Sequence, residues 1–128
     1  TDMNTRTLKW IVAAGLLLVC LGCAQPKYVH AVFFTCKDGT PDTEIDALIA
    51  DGNDLLGQIP TVRRVDTGRR DPEATREVNV TDYHVGLVVY FDDRAGHDVY
   101  ADHPLHLEYV ARHKEQWSKV RVLDFVAE

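Results

Sequence analysis

Two stretches of this 128-residue chain are apolar on both of their alternating faces. Residues 28–37 read Tyr-Val-His-Ala-Val-Phe-Phe-Thr-Cys-Lys, and residues 82–91 read Asp-Tyr-His-Val-Gly-Leu-Val-Val-Tyr-Phe. A strand sends successive side chains to opposite sides, so strands of this kind need cover above and below. A lone sheet with one wet face is therefore excluded. Helices can supply one layer of cover, and something else must supply the other.

The segments between these strands supply the helices. Thr40, Pro41, Asp42 and Glu44 predict a helix start, with Thr40 as N-cap, Pro41 at the first position and two carboxylates near the positive end. Ile45, Leu48, Ile49, Leu55 and Leu56 then recur at helical spacing, and Gly57 and Pro60 end the run. Gly52 falls on the same stripe and predicts close contact with the sheet. Asp38-Gly39 reads as a turn. Residues 61–70 predict a second, more polar strand near an edge, and residues 71–80 a loop. A short helix over 93–100, a longer one from Pro104 to about residue 117 and a strand over 120–126 complete the chain.

The order is β-α-β-β-α-β, the split βαβ arrangement of ferredoxin-like α+β folds. Val32, Phe34, Val88 and Val122 are expected on the sheet face away from the helices. A second copy of the sheet is the simplest cover for that face. The expected assembly is a homodimer, with sheets meeting around a hollow that receives an acid–base cluster.

Charge narrows the partners. The formal net charge is −6, which disfavours nucleic acid and anionic lipid surfaces. Arg63, Arg64, Arg69 and Arg70 are interleaved with Asp66 and Asp71, have no aromatics among them, and read as a solvated strand edge.

The N-terminal residues carry a different signal. Arg6 and Lys9 precede 13 uncharged residues, 10–22. That run is short of the roughly 20 residues a membrane-spanning helix needs, and it fits the apolar region of an export signal. Val19-Cys20-Leu21-Gly22-Cys23 resembles a bacterial lipobox, which implies cleavage before Cys23 and lipid on that residue. Cys20 stands where such motifs usually carry an aliphatic side chain. The expected organisation is a signal peptide over 1–22, a lipidated tether over 23–27 and one domain over 28–128. The expected location is the bacterial cell envelope, with the membrane reached through the lipid anchor alone. Cys36 is then a lone thiol in an apolar strand, expected to be buried.

The densest chemistry lies in Tyr100-Ala-Asp-His-Pro-Leu-His106, where a phenol and two imidazoles flank a proline. This motif extends into a family resemblance. His30, Ile59-Pro60, Gly68, Phe91-Asp92-Asp93, Tyr100, His103-Pro104, His106 and Asp124-Phe125 together resemble the stress-responsive A/B barrel (Dabb) domain over residues 28–126. The resemblance implies a ferredoxin-like protomer and a dimeric α+β barrel. It implies no single reaction. One plant member, olivetolic acid cyclase, closes a linear polyketide by aldol condensation without a metal or organic cofactor. Its catalytic tyrosine and histidine fall on Tyr100 and His106, and two pocket histidines fall on His30 and His84.

On this reading His106 is the general base, with Asp124 orienting its ring. Tyr100 stabilises a developing enolate oxygen. His30, His84, Phe34 and Val88 line the cavity and bind a small apolar carbonyl compound. No cofactor or metal is expected. A metal held by His103 and His106 with His30 or His84 would need three or four ligands, and no CxxC or HExxH spacing supports it. The structural alternative keeps the same residues: a satisfied His106–Asp124 pair, a packed Tyr100 and a non-catalytic, ligand-binding or stress-response dimer. His103 is expected to cap or pack, and His97 and His113 to lie exposed on helices.

Overall fold

A computed structural model of the chain describes residues 24–128. The expected signal peptide over 1–22 and the expected lipidation site, Cys23, lie outside the described residues. The elements are β1 (Tyr28–Cys36), α1 (Asp42–Leu56), β2 (Val62–Arg69), β3 (Val85–Phe91), α2 (Arg94–Asp102), α3 (Pro104–His113), a single 3₁₀ turn (Lys114–Gln116) and β4 (Trp117–Val126). The sheet is antiparallel in the order β2-β3-β1-β4. This is the ferredoxin-like topology, with the two doubly apolar segments as its central strands. Among the described residues no helix is long and apolar enough to cross a membrane.

Register assigns each side chain to a face. His30 stands opposite Val89 on β3 and Asp124 on β4, while Ala31 stands opposite Val88 and Leu123. Even-numbered residues of β1 therefore share the helix side with Val85, Leu87, Val89 and Phe91. Leu48, Leu56 and Ile59 pack against that side and are fully buried, as are all four β3 residues. Gly52 lets α1 approach closely: a Cβ there would stand 2.8 Å from Thr67 Oγ1. Gly39, at φ +79°, takes the left-handed turn conformation that glycine adopts without a steric penalty.

The sheet-face expectation needs correction. Val32, Phe34 and Val122 lie on the helix side, and only Val88 lies on the open face. The open face is instead built from Val29, Ala31, Phe33, Gly86, Val88, Tyr90, Leu123 and Phe125. Leu123 and Phe125 are each 56% exposed there. Among the described residues the helices pack mainly over β1, β2 and β3 and cover β4 least. Val120 and Val122 therefore remain exposed on the helix side as well.

Several boundaries also differ. Helix α1 begins at Asp42 with extended Pro41 as its flanking residue, because the Thr40 hydroxyl donates to the Lys37 carbonyl (2.7 Å) and does not cap. Strand β3 starts three residues later than its hydrophobic run, at Val85. Strand β4 starts early, at Trp117, whose ring centroid lies 4.8 Å from that of Phe34. Helix α3 accordingly ends at His113. The arginines of β2 behave as a solvated edge: Arg63 pairs with Asp92, Arg64 with Asp66, and Arg69 with Asp42 and Asp46. Cys36 is a buried free thiol.

Candidate functional site

The break between α2 and α3 shapes the site. His103 is extended and caps α3, its Nδ1 accepting from the Leu105 N–H at 3.1 Å, and Pro104 takes the first helical position. The chain therefore turns between Tyr100 and His106 and brings their rings together, with centroids 4.5 Å apart. His103 Nδ1 is occupied by this capping bond, as the sequence suggested.

Behind this corner lies a cavity of about 300 Å³ between the helices and the sheet. Tyr100, His106, His97 and His30 supply polar groups to an otherwise apolar wall that includes Val32, Phe34, Leu87, Tyr109 and Val110. The exposed Val120 and Val122 also line it. Its mouth therefore lies at β4, the strand the helices cover least. The acid–base cluster sits inside one protomer on the helix side, not in a hollow between two sheets. The open face and the site are on opposite sides of the same sheet.

Hydrogen bonds assign the tautomers. His106 Nδ1 lies 2.9 Å from the Ala101 carbonyl oxygen. A carbonyl can only accept, so Nδ1 carries the proton and Nε2 keeps a free lone pair. Burial holds the His106 pKa below its usual value, partly offset by the bond to Ala101. The ring is therefore a neutral base at neutral pH, already oriented. Tyr100 is almost fully buried, and burial pushes its phenol well above the ordinary range. Protonated at any physiological pH, it serves as a donor and not as a base.

Asp124 does not orient His106. Its carboxylate Oδ1 lies 2.6 Å from Nδ1 of His30, because the two residues are direct partners across the β1–β4 register. His30 Nδ1 thus carries a proton and its Nε2 is an acceptor. Burial lowers the His30 pKa, against the opposing pull of Asp124. Burial and the same carboxylate push the Tyr28 phenol up. The structure accordingly contains two differently held histidines, one on a backbone carbonyl and one on a carboxylate.

Two of the expected cavity residues lie elsewhere. His84 precedes β3 at the sheet rim, where its Nδ1 accepts from the Cys36 N–H at 2.9 Å, and it borders Thr35, Arg69 and Arg70. Val88 faces the open side beside Asp66 and Gly86. Phe34 and His30 are in place.

Two histidines read as exposed are not. His97 is packed among aromatics, its ring 4.7 Å from His30, 5.2 Å from Tyr28 and 5.9 Å from Tyr100. The i, i+3 spacing of His97 and Tyr100 on α2 was the available signal. His113 is buried, its Nε2 2.8 Å from Asp51 on α1, and it sits one turn beyond buried Tyr109.

The family model that matches this chain is described as the stress responsive A/B barrel domain and covers residues 29–127. The chain belongs to that family. A Dabb family protein with a ferredoxin-like fold from Mesorhizobium loti is 28% identical, with a TM-score of 0.65 over 81% of this chain and 99% of that one. The hydroxynitrile lyase of Passiflora edulis is 22% identical, with a TM-score of 0.68 over 80% of this chain and 95% of that one. A protein of unknown function from Thermobifida fusca, described as dimeric and ferredoxin-like, is 19% identical, with a TM-score of 0.67 over 83% and 95% of the two chains. The last two likenesses establish the fold alone. They set the split helix and four-stranded sheet of this Dabb protein in the ferredoxin-like architecture.

Proposed function

We propose that this Dabb protein transfers a proton on a small, apolar, carbonyl-containing compound, as a cofactor-independent lyase, cyclase or isomerase of the aldol type. One observation carries the reading. His106 is oriented by the Ala101 carbonyl and kept neutral by burial, its ring beside a protonated Tyr100, on an apolar cavity of about 300 Å³. Nε2 of His106 takes the proton next to the carbonyl, and a phenol donor stabilises the enolate oxygen as charge develops. The apolar wall excludes water and strengthens both interactions. A hydroxynitrile lyase on the same fold agrees with a lyase among the reactions named.

The reading includes a homodimer. Leu123 and Phe125 stand exposed on the open face, and full burial of such a side chain contributes about 1.5–3 kcal/mol. The dimeric neighbour of the same fold supports this assembly. It also includes a lipid tether at Cys23, which would hold the domain close to the envelope membrane. Mass spectrometry of the purified N-terminus checks the tether: an unmodified Cys23 thiol rejects it.

The enzymatic claim is tested with a panel of β-keto compounds and cyanohydrins. His106→Ala should lower turnover by about 10²–10⁴-fold, the usual contribution of a positioned base. Tyr100→Phe should lower it by about 10²–10³-fold, as loss of an oxyanion donor does. Turnover unchanged in both variants rejects the assignment. Saturable binding of apolar carbonyl ligands without turnover favours instead a non-catalytic binding dimer, in which Tyr100 is an aromatic core residue.

A further inference from the structure

His30, His97 and Asp124 each present one ligand atom, and the three atoms lie within 4.8 Å of one another. We propose that they form a binding site for a zinc-like divalent ion, with the fourth coordination position open to the cavity.

The geometry is close to what such an ion needs. Ligands about 2.0–2.1 Å from a tetrahedral zinc stand roughly 3.3–3.5 Å apart. His30 Nδ1 and Asp124 Oδ1, at 2.6 Å, would separate slightly, and the set of three, now within 4.8 Å, would contract to that spacing. The three residues come from β1, α2 and β4, so no local spacing in the sequence reveals them. Two neutral imidazoles and one carboxylate, without sulfur, suit zinc, cobalt or nickel better than magnesium or calcium.

The surroundings add to this. His30 and His97 both line the cavity, so an ion held between them faces it directly. Asp124 is one-third exposed at its side chain, which gives an ion a path from solvent at the β4 edge. His97 Nδ1 lies 3.7 Å from Asp98, so an ion on His97 Nε2 would have an outer carboxylate behind the ring. The proton balance is simple. The Nδ1 proton of His30, now shared with Asp124, moves to Nε2, and the ring stays neutral while the ion takes Nδ1.

This site goes beyond the proton transfer assigned to His106 and stands or falls separately. The test titrates Zn²⁺ into the metal-stripped, untagged full chain and follows heat and, with Co²⁺, the visible absorption of a tetrahedral centre. The expected result is one ion per chain. His97→Ala and the isosteric Asp124→Asn should each weaken binding by at least about tenfold. His103→Ala should leave it unchanged. Circular dichroism and the metal-free melting temperature identify any variant that has lost its fold, and the other variant then decides. Absence of stoichiometric binding overturns the proposal. Binding that survives both ligand variants, or that depends on His103 instead, also overturns it.

Discussion

Asp124 Oδ1 lies 2.6 Å from Nδ1 of His30, on the strand directly beside it, and His106 is held by the Ala101 carbonyl instead. The consequence is measurable. Asp124→Asn keeps the side-chain shape and removes the charge that fixes the His30 tautomer. Charge-assisted hydrogen bonds contribute about 1.5–3 kcal/mol, and partial exposure places this one toward the lower end. The melting temperature should fall accordingly. The ring nitrogens of His30 should shift in ¹⁵N NMR spectra while those of His106 stay in place. A shift confined to His106 would reverse the pairing.

Stability should fall on mild acidification. Burial holds both His30 and His106 below their ordinary pKa of about 6.5. The unfolded chain then binds more protons than the folded one just below that value, so these groups add stability above about pH 6.5 and lose it as pH falls toward their folded values. Melting temperature measured from about pH 7 to pH 5 should decline, and His106→Gln should flatten the slope. Asp51 acts in a separate window. Its bonds from His113 and Arg112 outweigh burial and hold its carboxyl below the usual carboxylate value. Its contribution is present above about pH 4 and disappears only in stronger acid. A flat profile between pH 7 and 5 contradicts the buried, neutral state of the two imidazoles.

A charge on the open face should separate the subunits without unfolding them. Phe125 is 56% exposed in the protomer, so Phe125→Glu costs the isolated fold little. Placed between two apolar sheets, the carboxylate would be desolvated at a cost of several kcal/mol. Light scattering should show a dimer for the parent chain and a monomer for the variant. A parent chain that is already monomeric removes the basis for the assembly.

His113 should matter for stability and not for turnover. It is buried between α1 and α3, with Nε2 2.8 Å from Asp51. His113→Ala leaves a cavity and removes a partner of that carboxylate, for an expected loss of about 2–4 kcal/mol in denaturant unfolding. It lies outside the cavity lining, so residual activity per folded molecule should match the parent. An activity loss without destabilisation would place His113 in the site.

The sequence made some relationships plain and hid others for physical reasons. The order of elements along the chain and the approximate helix positions follow from local patterns, and so does the close approach at Gly52, because a glycine on an apolar stripe already implies a near neighbour. His103 and Pro104 were readable as a cap because capping is local. Asp124 stood out as a charge in an apolar strand, but its partner depends on β1–β4 register, which no local pattern encodes. His84 belonged to an apolar run yet left the sheet, since β3 starts only at Val85. His97 and His113 look like ordinary helix histidines until the sheet shows which helix face it covers. The i, i+3 link to Tyr100 and the i, i+4 link to Tyr109 were the clues available.

Among the described residues strand β4 pairs in the sheet with β1 alone and is the strand the helices cover least. Outermost strands fray more readily than central ones. The carboxylate that sets the proton position on His30 therefore rides on one of the sheet's two margins. Whatever steadies that margin, whether a second subunit or a molecule at the cavity mouth, would also tune the imidazole behind it from a distance.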